Sequence, residues 1–98
     1  MSKIDYSTAP QGSQKSYQNY YQTGTDPGDF IRAVLANDLM AAVKRADATN
    51  LSLLKDHVNF IYNALPFACS GNLERVSTWL RIGGASEYFE FPDVKKKV

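Results

Sequence analysis

Cysteine is nearly missing from this chain. Cys69 stands alone, which excludes an internal disulfide and suits a reducing compartment. Histidine is as scarce: His57 has no second histidine to complete a metal site or a Cys-His pair, so a structural role outweighs a catalytic one. Charge of one sign is lacking too. A net charge of +1 gives no strong field to steer nucleic acid or an anionic membrane. No apolar run approaches the roughly 20 residues a spanning helix needs. The N-terminus lacks the apolar core of a signal peptide. No glycine-rich phosphate loop occurs, because Gly83-Gly84 follows a helical pattern and reads as a helix end. Acidic residues are scattered, with no close pair for acid–base work. These absences predict a cytoplasmic, non-enzymatic protein with no cofactor and no metal.

The strongest pattern lies between Asn50 and Gly84. Leu51, Leu54, Val58, Ile61 and Leu65 recur at spacings of three and four, the face of one helix. Asn50 or Ser52 can cap its start, and Pro66 ends it. Ser70-Gly71-Asn72 supplies a turn and cap for a second helix. Its stripe is Leu73, Val76 and Leu80 with Trp79 beside it, and Gly83-Gly84 closes it. The short connection predicts a helical hairpin. Cys69, close to that second cap, is a small core residue or, less readily, a thiolate favoured by the helix N-terminus.

Upstream, Asp26, Pro27 and Asp29 suit a helix start. Ile31, Leu35, Leu39, Ala42, Val43 and Ala46 then keep helical spacing. This is one helix of about twenty residues or two broken at Asn37-Asp38. The capping character of both residues favours the break.

Residues 1–26 differ. Up to Gly28 the only large aliphatics are Met1 and Ile4, against four Gln, four Ser and four Tyr. Such a segment cannot offset roughly 1–2 kcal/mol of backbone entropy per residue. It is expected to be a flexible arm. At the other end, Glu-Tyr-Phe-Glu-Phe alternates and predicts a short extended segment. Lys95, Lys96 and Lys97 make a basic tail over 93–98. The expected fold is all-α: a small bundle of three to four helices over residues 27–92, with a helical-hairpin core and a disordered N-terminal arm. A core of about 60–65 residues is marginal, so self-association would help it.

Residues 64–86, ALPFACSGNLERVSTWLRIGGAS, carry a family likeness. Leu65, Phe67, Ala68, Cys69, Gly71, Leu73, Glu74, Val76, Leu80, Gly84 and Ala85 match in kind the second half of a repeat with a Gly-His-Leu-Glu turn and a Gly-Ala end. A fainter copy lies 34 residues earlier, pairing Asn37 with Gly71 and Leu39 with Leu73. The segment resembles an ankyrin repeat, degenerate in that Pro66 stands where the family has His. The resemblance implies protein–protein binding and no enzyme. Two repeats fall short of the three or so a solenoid needs.

The expected contact patch is Arg75, Trp79 and Arg81 with Tyr88 and Phe89, since Trp and Arg are the usual interface anchors. The competing reading of Trp79 is that it closes the core. Tyr17, Tyr20 and Tyr21 form an arm that orders on binding. Together these predict a protein-binding regulator or inhibitor that occupies a surface of another protein and self-associates as a homo-oligomer. The alternatives are a structural subunit of an assembly, phage assemblies included, and nucleic-acid or nucleotide binding through the tyrosines and lysines. Two lysines across the arm make nucleic acid the weaker partner.

Overall fold

The structure, a computed structural model, describes residues 4–88. Among these it is all-helical: α1 (Gln14–Thr23), α2 (Asp29–Leu35), α3 (Leu39–Arg45), α4 (Ala48–Ser52), α5 (Leu54–Ala64), α6 (Leu73–Ile82) and α7 (Ala85–Tyr88). Short 3-10 turns at Tyr6–Thr8, Gln11–Ser13 and Phe67–Cys69 complete it. Seven helices replace the three to four expected. The expected long elements are cut into short ones by residues that cap or turn.

The largest departure is at the N-terminus. The segment expected as a flexible arm forms α1, and α1 lies in the core. Tyr17 and Tyr20 are fully buried and Tyr21 nearly so. The physical reason is that aromatics stand in for the missing aliphatics. Each tyrosine can bury roughly 150–250 Å² and still satisfy its hydroxyl. Tyr17 packs its ring 4.7 Å from Phe60, and Tyr20 donates its hydroxyl to the Cys69 carbonyl at 2.7 Å. Gly24 ends α1 in the left-handed region at φ 69°.

Trp79 finishes that end. Its indole N–H points at the carbonyls of Tyr20 (3.0 Å) and Tyr21 (3.2 Å) in the last turn of α1, and the Tyr20 carbonyl also accepts from the Gly24 N–H at 3.0 Å. Its ring stacks on Tyr21 at 5.6 Å and meets Tyr88 at 5.1 Å. Gly24 and Gly84 let the two helix ends touch. A Cβ on Gly24 would sit 2.8 Å from the Gly84 nitrogen, so neither position accepts a side chain.

The break at Asn37-Asp38 is present. Asn37 takes φ 61° and Asp38 caps α3 by accepting from Ala41 N–H at 3.1 Å. The break resets the helical phase. Ile31, Leu35 and Ala42 are buried, but Leu39 and Val43, expected on the same stripe, are exposed. Likewise the helix expected from Leu51 to Leu65 is two, α4 and α5, meeting at Leu53. Asp47, and not Asn50 or Ser52, caps α4. The buried face of α5 is His57, Phe60 and Ile61, because that side meets α1, while Leu51 and Val58 face outward. Leu65 is extended ahead of Pro66, as a residue before proline should be. Asp26 does not cap α2. It accepts from Gly28 N–H and pairs with Arg32, which also pairs with Asp29. At the C-terminal end the alternating segment begins helically, with Tyr88 in α7 and buried. Phe89 and the rest of 89–98, the basic tail included, lie outside the described residues.

Candidate interaction surface

The expected contact patch does not assemble. Trp79 is 1% exposed and Tyr88 9%. Both turn inward because α1 and α7 cover the side of α6 that carries Trp79. Arg75 and Arg81 are exposed on α6 but six residues apart, roughly 120° around the helix. Arg75 donates to the Ser70 carbonyl at 3.3 Å, which ties it to the turn before α6. Phe89 falls outside the described residues. Tyr17, Tyr20 and Tyr21 are core residues and offer no free face.

His57 is the sharpest polar feature inside. It is fully buried. Its Nδ1 lies 2.7 Å from the Tyr17 hydroxyl, and Phe30 stands edge-on at 5.0 Å. Its Nε2 has no hydrogen-bond partner among the described residues. The arrangement leaving fewest polar atoms unpaired has Tyr17 Oη–H donating to Nδ1, with the imidazole proton on Nε2. Burial lowers the imidazole pKa, against a weaker opposite pull from Asp56. A neutral, enclosed imidazole is a brace between α1 and α5. Cys69 is equally enclosed, and burial pushes its thiol up to about 12. That is the opposite of a nucleophile. Among the described residues no three His, Cys, Asp or Glu side chains converge as metal ligands. No helix among them is long and apolar enough to cross a membrane.

The surface carries its distinctive feature elsewhere. Val34 and Leu35 of α2, Val58, Ile61 and Tyr62 of α5, and Phe67 line a hollow of about 240 Å³. Asn37, Ser70 and Gly71 complete its wall, and no charged side chain among the described residues lines it. Tyr62 is 77% exposed and Phe67 73%. Both stand out as aromatic walls that none of the described residues covers. The wall is a backbone construction. Gly71 N–H donates to the Leu35 carbonyl at 2.7 Å, stitching the turn before α6 to the end of α2. The two turns match: Asn37 and Gly71 both have positive φ, Asp38 and Asn72 both cap, and Leu39 and Leu73 both open a helix. Leu39 and Leu73 are 61% and 65% exposed.

Sequence periodicity missed this surface because it assigned Val58, Leu39 and Leu73 to the core. The usable signal was Tyr62 and Phe67, bulky aromatics that fit no buried stripe. Comparison with family models, with curated proteins and with solved structures finds no match for this chain.

Proposed function

We propose that the protein is a non-enzymatic protein-binding module, a regulator or inhibitor that works by covering a surface of a partner protein. The observation that carries this is the uncharged hollow walled by Tyr62 and Phe67. Large apolar side chains scattered singly on a surface need no explanation, but a cluster around a concavity does. Aromatic anchors beside a pocket are what interface hot spots use. The paired turns at Asn37 and Gly71 support the ankyrin-like reading as far as local geometry goes, and that reading has the same destination. A buried free thiol accords with a cytoplasmic setting. The nucleic-acid alternative loses its tyrosines, which are enclosed in the core and present no ring to a base. The assembly-subunit alternative keeps the same surface and differs in the partner.

The test is a pull-down with the full chain at moderate salt, beside Tyr62→Glu and Phe67→Glu. Both side chains are exposed, so the fold should survive. A stoichiometric protein partner lost from both variants supports the reading. Retention by both, or recovery only of salt-sensitive nucleic acid, overturns it.

A further inference from the structure

Taking that surface as a binding site, we infer that its occupant is a second copy of this chain, with α5 crossing its symmetry mate. Three observations point there. The first is self-complementarity. An isologous contact needs one face to present both a projection and a recess, so that residue i meets j and j meets i. Tyr62 and Phe67 project, and the hollow lies between them and α2. Val58 and Tyr62 sit one turn apart on the outer face of α5. An antiparallel pair of these helices therefore sets Val58 of each copy near Tyr62 of the other.

The second is charge. Among the described residues no charged group lines the hollow. Exposed Lys55 and Asp56 at the start of α5 cancel, and the whole chain carries only +1. Two copies meet without like-charge repulsion, and a charged partner would find nothing to recognise. The third is area. Tyr62 and Phe67 alone expose roughly 300 Å², scaling from the area of buried aromatics. That is the size of the largest patch on many monomers. It supplies over a third of the roughly 800 Å² per partner of a standard interface, which suits a weak dimer.

Light scattering across a micromolar-to-millimolar series of the full chain tests this. The expected result is a mass moving to twice the 10.9 kDa of one chain. Tyr62→Glu and Phe67→Glu should each raise the dimer dissociation constant about thirtyfold or more, with helical circular dichroism unchanged. Lys15→Glu, on α1, should leave it alone. A photo-crosslinking residue at Tyr62 should join two copies through the hollow. A wild-type chain that stays monomeric at millimolar concentration overturns the second copy but leaves the protein-binding reading to its own pull-down. A dimer indifferent to both glutamates overturns the placement of the interface.

Discussion

Removing the Tyr17 hydroxyl should cost this protein a large part of its stability while leaving the shape of its core intact. Tyr17→Phe keeps the ring against Phe60 at 4.7 Å. It deletes only the oxygen 2.7 Å from His57 Nδ1. A typical hydrogen bond contributes about 1 kcal/mol net, but the greater cost is the atom left behind. His57 is fully buried and its Nε2 already lacks a hydrogen-bond partner among the described residues. Without Tyr17 Oη the whole imidazole is enclosed and unpaired. An orphaned buried polar group costs about 1–3 kcal/mol, so about 2 kcal/mol is expected. A chain of this size has about 5–15 kcal/mol in total, and each kcal/mol moves the midpoint by about 4–8 °C. Thermal and urea unfolding followed by circular dichroism should therefore show a drop of about 8–16 °C, with an unchanged urea slope. The double variant with His57→Phe should recover part of the loss, since both polar partners are then gone. A drop below about 0.5 kcal/mol would refute the reasoning: the brace would then not be a dry hydrogen bond.

Four further outcomes follow from the same packing. Gly84→Ala should destabilise by about 3–5 kcal/mol, because φ is 80° and the new Cβ would strike the backbone of Gln22, Thr23 and Gly24. Gly12→Ala, with nothing within 4 Å, should be neutral or slightly stabilising in the same unfolding assay. Stability should fall on acidification below His57's ordinary value of 6.5. The folded pKa is lowered, so the unfolded chain binds the proton first: the contribution is complete above 6.5 and is lost as pH drops through the folded pKa. One proton gives at most about 1.4 kcal/mol per pH unit, and His57→Gln should flatten that part of the curve. Cys69 should resist alkylation at pH 8 in the native protein and react fully in denaturant, since its thiol is buried and raised to about 12.

Local chemistry was legible in the sequence wherever a single residue decides it. Asn37-Asp38 broke a helix, Asn72 capped one, Pro66 set Leu65 extended and Gly83 closed α6. Each acts through its own backbone or its nearest N–H groups, although the same local reading placed caps at Asp26 and at Asn50 or Ser52 that the fold does not use. The face a helix buries is another matter. Periodicity gives a stripe only while the phase runs on, and the breaks at Asn37 and Leu53 restart it. Leu39, Val43 and Leu51 were thus assigned inward and lie outward.

The N-terminal segment shows the deeper limit. Counting aliphatics made residues 1–26 an arm, since a chain that buries little apolar area cannot offset its entropy. The count omitted what a tyrosine does when its partners arrive from elsewhere. Tyr17 waits on His57, 40 residues away, Tyr20 on the Cys69 carbonyl, 49 away, and Trp79 reaches back 59 residues to Tyr20. Each polar tip is satisfied only by a group that local reading cannot bring near. The same long reach moved the functional reading. Once α1 takes Trp79 and the tyrosines into the core, the aromatics left standing out among the described residues are Tyr62 and Phe67. A fold that hides four tyrosines and its one tryptophan, yet leaves those two standing beside a hollow that no charged side chain among the described residues lines, has its unfinished surface there.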